Sequence, residues 1–190
     1  MLNSITTIKK GIKTKRISSY DRSGGNNDFI SIPAGETAVI ADLPGAGIIK
    51  HIWITIATPD TFFRRNTVIR MYWDGEEHPS VESPIGDFFG QGWGEGYNFA
   101  SLPLAAAPHD GKAFNSYFPM PYGAGAKITI ENQSREPINS FYYYVDYEEH
   151  PDMPETEGRF HAWWNRELTG VHPEEGETEW SVIAPQGKNT

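Results

Sequence analysis

The sequence predicts an all-β protein built as a sandwich of two sheets, and three observations support this fold class. Short runs with strand-like alternation recur about every ten residues between residues 29 and 149. Turn segments rich in Gly, Pro, Asn and Asp, such as IPAGE, DLPGAG and NQSREP, separate these runs. No part of this region keeps a helical period for long. The pattern fits a jelly roll and an immunoglobulin-like sandwich equally well.

Side-chain alternation predicts the individual strands, taken here in chain order. FISIP and TAVIADL come first, and IIKHIWITIA follows with apolar residues on both faces, which suits a central strand. NTVIRMYWDG alternates along its length, and PSVES and KAFNSYFPM are further runs. In AKITIEN, Ala126, Ile128 and Ile130 alternate with polar residues, so one face is buried and the other is solvated. INSFYYYVDYEE alternates in the same way, with Phe141 and Val145 in one row.

Two segments outside these strands complete the predicted organisation. Residues 1–17 form an N-terminal arm whose five basic residues all precede the first acid, Asp21. Residues 18–168 form the sandwich, and residues 169–190 form an acidic linker or tail. Near the end of the sandwich, RFHAWWNREL has aromatic residues at helical spacing but is too short to distinguish a helix from a strand. The basic arm either lies solvated or contacts an acidic surface or an anionic ligand.

Composition excludes several classes of function. The net charge of −9 argues against binding to nucleic acid, because that affinity comes from basic residues on phosphates. No run reaches the roughly 18 apolar residues of a membrane span. The chain has no cysteine, no HExxH motif and only scattered histidines, so we expect neither a metal nor another cofactor. The N-terminus carries no secretory signal, and we expect a cytoplasmic protein.

A glycine-rich loop, SPIGDFFGQGWGEGYNF, is the first candidate for a binding site. If the part after Gly90 is extended, Trp93 and Glu95 share one side with two further side chains, and only glycines occupy the other side. Sugars suit such a wall, since their C–H faces stack on aromatic rings and their hydroxyls bind carboxylates. An aromatic surface plug is the alternative. The substrate-binding residues predicted from this loop are Asp87, Phe88, Phe89, Trp93 and Glu95.

A second candidate site lies in SSYDRSGGNNDF, before the first confident strand. Asp21, Arg22, Asn26 and Asp28 place several donors and acceptors around a Gly-Gly turn. These residues would bind hydroxyl groups or a cation, although their spacing is not that of a calcium loop and Asn and Asp are also ordinary turn formers. Several carboxylates elsewhere lie near strand ends, and glycoside hydrolysis needs two of them at a set distance. The spacing along the sequence leaves that distance open.

The same segments carry a resemblance to a known family. SSYDRSGGNNDF, IPAGETAVIADLPGAGIIKHIWITIA, MYWDGEEHPSVESPIGDFFGQG, KAFNSYFPMPYGAGAKITIENQS and FYYYVDYEEHP occur in the order and spacing of glycoside hydrolase family 172. The likeness runs roughly from Ser18 to Glu167, and GDFFG with NSYFPMP is its most specific part. The resemblance implies a jelly roll, an oligomer assembled from trimers, and exo-acting hydrolysis of α-D-fructofuranosides or α-D-arabinofuranosides.

The resemblance also implies where catalysis resides. Family members are about twice as long and have two jelly rolls, with both catalytic glutamates in the second one, so we expect this N-terminal half to be inactive alone. The arm motif and GDFFG match the family, whereas the GWGEG motif around Glu95 is not carried over as catalytic. The expected partners are a small oligosaccharide or furanoside and either further copies of the chain or a second jelly roll. The alternative functions are a non-catalytic carbohydrate-binding module and a structural, oligomer-forming jelly roll.

Overall fold

A computed structural model of the chain describes residues 8–154 and 156–166, and these residues form two β-sheets packed as a sandwich. Within these residues, two four-residue helices, α1 (Phe63–Asn66) and α2 (Ile85–Phe88), interrupt an otherwise all-β fold. The predicted all-β sandwich is therefore confirmed. Within the described residues, no helix is long and apolar enough to cross a membrane.

The larger sheet has eight strands, with the order β1-β12-β4-β9-β8-β7 and with β2 paired to β12 and β10 paired to β4. Its strands are β1 (Lys13–Ser18), β2 (Ile30–Ile32), β4 (Ala46–Ala57), β7 (Phe99–Ala100), β8 (Leu104–Ala106), β9 (Ala113–Ser116), β10 (Met120–Tyr122) and β12 (Ile138–His150). The smaller sheet has the order β13-β6-β5-β11-β3. Its strands are β3 (Thr37–Pro44), β5 (Thr67–Trp73), β6 (Val81–Pro84), β11 (Gly125–Asn132) and β13 (Ala162–Trp163).

Alternating residues of the long strands form the core between the sheets. Ile52 and Ile54 of β4 are fully buried, as are Phe141 and Val145 of β12 in the same sheet. From the smaller sheet, β5 and β11 contribute the fully buried side chains Ile69, Met71, Trp73, Ile128 and Ile130. The alternation in AKITIEN and INSFYYYVDYEE thus predicts the buried faces of β11 and β12 correctly. Both faces of β4 are largely covered, as expected for a central strand.

The basic N-terminal segment packs against acidic residues of its own chain. Lys13–Ser18 forms β1, the edge strand beside β12, so the predicted boundary at residue 17 falls inside a strand. Arg16 donates two hydrogen bonds to Asp146, with Nε 2.6 Å from Oδ1. Lys15 Nζ lies 2.6 Å from Glu149 Oε1. These pairs connect the basic strand to the acidic one and explain why the two charge signs separate along the sequence.

The RFHAWWNREL segment is extended where the structure describes it. Ala162–Trp163 forms β13, which runs parallel to β6, so the helical alternative is wrong for these residues. The reason is tertiary, because Phe160 packs against Phe118 with ring centroids 5.0 Å apart and Trp73 Nε1 donates to the Phe160 carbonyl at 2.7 Å. The predicted acidic tail, residues 169–190, lies outside the described residues.

Asp74 connects three separate turns at one end of the sandwich. Its Oδ1 accepts hydrogen bonds from the backbone N–H groups of Gly123, Ala124 and Gly125 at 2.7, 2.6 and 3.3 Å. Its Oδ2 accepts one from Arg159 Nε at 2.6 Å. Burial alone would raise the pKa of Asp74, but these hydrogen bonds outweigh it and lower the pKa below its ordinary value. The ionised carboxylate is therefore the form that stabilises the fold.

We expect Asp74→Gly to lower the free energy of unfolding by about 1–3 kcal/mol, because it removes four hydrogen bonds to a charged acceptor. Glycine tolerates the backbone φ of 57° at this position, so the variant adds no strain. The loss is measurable by urea denaturation at pH 7. Because a lowered pKa stabilises only while the group is ionised, the difference from wild type should shrink as pH falls below 3.8. Glu77→Ala, in the same exposed turn, serves as control, and an equal loss there would contradict the assignment.

Candidate functional site

A cleft of about 1140 Å³ lies on the side of the smaller sheet that faces away from the core. Its floor consists of outward side chains of β5 and β6, and its walls consist of the loop after α2 and the segment after β13. The residues that line it are Arg65, Val68, Arg70, Glu82, Ser83, Pro84, Asp87, Gly92, Trp93, Gln133, Trp164, Asn165 and Arg166. The cleft thus combines indole rings, guanidinium groups and carboxylates.

Close packing of the two short helices positions the walls of the cleft. A Cβ atom at Gly86 would lie 2.8 Å from the Arg64 Cβ, so glycine lets α2 approach α1 this closely. From α1, Arg64 Nε donates to Gln91 Oε1 at 2.6 Å. The next residue, Arg65, donates through Nη2 to the Gly92 carbonyl. Two consecutive arginines therefore hold successive residues of the loop that follows α2.

Asp87 presents a carboxylate to the cleft, and its two oxygens have different surroundings. Its side chain is only 15% exposed. Oδ1 accepts a hydrogen bond from Trp164 Nε1 at 3.1 Å. Oδ2 lies 3.1 Å from Arg65 Nε, but the two are not aligned for a hydrogen bond, and Oδ2 is buried without a donor among the described residues. Burial raises the pKa of Asp87, and Arg65 and Trp164 offset this only in part.

Two indole rings accompany this carboxylate. Trp93 is 85% exposed although it is a large apolar side chain, and it lines the cleft. Trp164 lines the cleft as well, and the Arg65 guanidinium carbon lies 5.4 Å from the centre of a Trp164 ring. An exposed tryptophan next to a buried carboxylate is an unusual surface, since apolar rings are normally covered. This arrangement suits a ligand with both apolar faces and hydroxyl groups.

The second carboxylate of the cleft is already bound. Glu82 pairs with Arg70 Nε, and Arg70 Nη1 also lies 2.6 Å from Glu131 Oε2. Burial would raise the pKa of Glu131, but hydrogen bonds from Arg70 and Gln133 outweigh it and lower the pKa. Arg70 is thus shared between two carboxylates, and this group forms a polar floor rather than a free catalytic pair.

The structure corrects the role predicted for Phe88 and Phe89. Phe89 is fully buried and stacks on Phe114, with ring centroids 5.2 Å apart, and Phe88 is 8% exposed. Their rings meet edge to face at 4.9 Å inside the core. Neither ring has a face open to a ligand, because α2 turns the GDFFG motif inward. The two rings hold the end of α2, which carries Asp87, in the core, and they do not stack on substrate.

The alternation predicted for the loop after Gly90 is also wrong. Residues 91–95 form hydrogen-bonded turns instead of a strand, with positive φ at Gly90 and Gly94. Gln91 is therefore fully buried while Trp93 is exposed, so the two do not share a face. Glu95 is exposed and does not line the cleft. Only Trp93 and Asp87 of the predicted loop residues reach the cleft.

The arm residues predicted as a second site lie elsewhere, beside β12 of the larger sheet. The Ser19 hydroxyl in the same segment accepts a hydrogen bond from the Tyr143 N–H of β12 and donates one to the Asp28 carbonyl. The Ser23 hydroxyl and the backbone N–H groups of Ser23 and Asn27 lower the pKa of Asp21. Asp28 Oδ1 accepts from the Asp21 N–H at 2.7 Å, while Arg22 and Asn26 are exposed. Among the described residues, no hydrogen bond or ion pair connects this loop to Asp87.

Sequence reasoning missed the two cleft residues that contact the Asp87 carboxylate, Arg65 and Trp164. A signal existed for Arg65, since FFRRN places two arginines directly before a strand, but nothing local indicated that they would reach residues 91 and 92. Trp164 was visible only as part of an ambiguous aromatic segment.

Residues 8–154 and 156–166 contain no group of three or more His, Asp or Glu arranged to hold a metal ion.

We expect Gly111→Ala to displace the Gln91 side chain, which fixes the loop after α2. Gly111 has a φ of +73°, and a Cβ there would lie 1.9 Å from Gln91 Nε2 and 2.2 Å from the Tyr97 carbonyl oxygen. The free energy of unfolding should fall by about 3 kcal/mol or more, since both strain and crowding apply. Gly35 has a φ of +76° with open space around it, so Gly35→Ala isolates the strain, which is about 1–2 kcal/mol. If urea denaturation shows the same loss in free energy of unfolding for Gly111→Ala and Gly35→Ala, Gln91 does not hold the loop rigidly.

Comparison with known proteins places this fold in a family. The family model described as GH172 first beta-sandwich domain matches residues 10–160. This range contains β1 to β12, both helices and the loop that carries Asp87 and Trp93. No curated protein matches the chain. The chain belongs to glycoside hydrolase family 172 and contains the first β-sandwich domain of that family.

Proposed function

We propose that the protein takes part in the exo-acting hydrolysis of α-D-fructofuranosides or α-D-arabinofuranosides with retention of configuration, and that this sandwich forms one wall of the sugar-binding site. The family membership supports glycoside hydrolysis as the reaction class. The choice of furanosides rests on the resemblance of the GDFFG and NSYFPMP segments to that family. The observation that carries the sugar-binding role is the cleft of Asp87, Trp93 and Trp164.

The chemistry of this cleft suits a small sugar. A furanoside presents C–H groups that pack on an indole ring and hydroxyls that donate to a carboxylate. Trp93 offers the exposed ring, and the partly exposed Asp87 carboxylate offers an acceptor. A carboxylate accepts several hydrogen bonds, so a ligand hydroxyl that reaches it gains affinity. The cleft needs no cofactor for this role.

The catalytic pair is proposed to come from a second sandwich domain, on the same chain or on another. Retention needs two carboxyl groups about 5–5.5 Å apart, one as nucleophile and one as acid and base. The cleft contains Asp87 and Glu82, but Arg70 already binds Glu82. In the proposed reaction, a glutamate attacks the anomeric carbon while a second one protonates the leaving oxygen, and water then hydrolyses the covalent intermediate.

The arm loop, which is the segment around Asp21, contributes to this proposed site through oligomerisation. Asp21 and its neighbours lie on the larger sheet, whereas Asp87 lies at the smaller one. A loop on one side of a sandwich can reach a cleft on the other side of a neighbouring copy when copies assemble head to tail around a symmetry axis. We therefore propose a homo-oligomer in which Asp21, Arg22, Asn26 and Asp28 approach the sugar site of a neighbouring subunit.

We expect the 190-residue chain to bind methyl α-D-arabinofuranoside without hydrolysing an aryl α-D-arabinofuranoside, and to become active when joined to a second sandwich domain of a family member. Isothermal titration calorimetry measures the binding, and release of the chromophore measures turnover. Trp93→Ala should weaken binding about tenfold through loss of buried ring area. Asp87→Asn should weaken it about tenfold or more through loss of a charged acceptor.

Trp163→Ala is the matched control, because Trp163 is 58% exposed and does not line the cleft. A methyl glucopyranoside tests the preference for a five-membered ring. Sugar binding without turnover in either form of the protein would favour a carbohydrate-binding module. Assembly without any sugar binding would favour a structural, oligomer-forming domain and would contradict the proposed role of the cleft.

A further inference from the structure

The Asp87 carboxylate is held by residues from two distant parts of the chain. Arg65 comes from α1, and Trp164 comes from the segment that follows β13, about a hundred residues later. Trp164 Nε1 donates to Oδ1 at 3.1 Å, and Arg65 Nε lies 3.1 Å from Oδ2. Neither contact is local in sequence, so the position of the carboxylate depends on how these segments dock onto the smaller sheet.

Arg65 is also held by contacts with groups other than Asp87. It donates through Nη2 to the Gly92 carbonyl, and its guanidinium carbon lies 5.4 Å from a ring of Trp164. The indole that binds Asp87 is therefore the same indole that packs on Arg65. The three side chains form a closed triangle in which each contacts the other two, and Gly92 fixes the triangle to the loop that carries Trp93.

Trp164 is also held independently of Asp87. Its backbone N–H donates to the Glu82 carbonyl at 3.2 Å, which continues the pairing of β13 with β6. The side chain therefore projects from a backbone that belongs to the sheet rather than to a free loop. A rigid donor on one oxygen, together with a cation beside the other, holds the carboxylate in place and stabilises its charge.

Burial disfavours the ionised form of Asp87, so the effect of its two partners can be tested by following its ionisation. Desolvation raises the pKa of Asp87, while the charge of Arg65 and the hydrogen bond from Trp164 lower it again. The other charged groups that line the cleft are Glu82 and Arg70 on the sheet and Arg166 beyond β13. Since Arg70 binds Glu82, Arg65 is the cation in direct contact with the carboxylate.

We propose that Arg65 and Trp164 are positioning residues that keep Asp87 ionised and fixed at the cleft, where its carboxylate accepts a ligand hydroxyl. The identification of that hydroxyl as one of a sugar rests on the proposed function. The positioning itself stands on the geometry of the triangle. Arg65 sets the charge of the carboxylate, and Trp164 sets its orientation.

The test follows the indole N–H resonance of Trp164 by NMR as pH is varied, with Trp164→Phe used to assign it. In the wild-type chain we expect this resonance to shift in one step, with a midpoint above 3.8, the ordinary pKa of aspartate. Asp87→Asn should abolish the step. Arg65→Met should move the midpoint to higher pH, because it removes the cation that favours ionisation.

Arg65→Lys keeps the charge and should leave the midpoint near that of wild type, which separates the electrostatic role from a loss of fold. Matching urea denaturation midpoints for the two variants confirm that both are folded. A midpoint that is the same in Arg65→Met and wild type overturns the role of Arg65. A Trp164 resonance that does not respond to pH, or that still responds in Asp87→Asn, overturns the role of Trp164.

A second measurement keeps this inference distinct from the proposed function. Binding of methyl α-D-arabinofuranoside at pH 7 should weaken about tenfold or more in Arg65→Met and less in Arg65→Lys. Sugar binding that is unchanged in Arg65→Met overturns the positioning role and leaves the proposed function standing. The expected NMR midpoints without sugar binding in any variant confirm the positioning role and overturn the sugar as the ligand.

Discussion

The antiparallel pairing of β4 with β12 is the interaction on which the rest of the structure depends. These two strands pair along nearly their whole length, from Ala46 opposite His150 to Ala57 opposite Ser140. Every other strand of the larger sheet attaches to one of them directly or through β9 and β8. Their inward residues supply much of the core, so the hydrophobic effect and the hydrogen-bond ladder act on the same pair of strands.

The outer face of this strand pair is polar and aromatic, and its side chains satisfy one another. His51 contacts Asp146 through Nδ1 at 3.0 Å and Asn115 through Nε2 at 3.1 Å. Trp53 stacks on Tyr144 with ring centroids 4.7 Å apart, and Arg16 covers the same tyrosine ring at 4.5 Å. These cross-strand contacts explain why alternating aromatic residues serve stability on the larger sheet, whereas the exposed Trp93 at the smaller sheet has no such cover.

The acidic side chains whose pKa departs from its ordinary value fall into two groups. Burial would raise the pKa of Asp146, but Arg16 and His51 outweigh it and lower the pKa, as other partners do for Asp74 and Glu131. Lowered values mean that these carboxylates stabilise the fold above their ordinary pKa and lose that contribution as pH falls. Asp87 has the opposite effect on the pH dependence of stability. Because its pKa is raised, the fold loses stability as pH rises from the ordinary pKa of aspartate to that of Asp87. The fold therefore bears a cost to hold an ionised Asp87 in the cleft, which is typical of functional rather than structural groups.

The sequence by itself determined the fold class, the long strands and their buried faces, because the two-residue period of a strand is a local property that each segment carries. It also identified the loop that contains Asp87 and Trp93. Only the tertiary structure decided which loop residues face the cleft, since Phe88 and Phe89 are buried by what packs over them. Arg65 and Trp164 join Asp87 because α1 and β13 dock beside α2, and no local spacing encodes contacts between residues 22 and 77 positions apart.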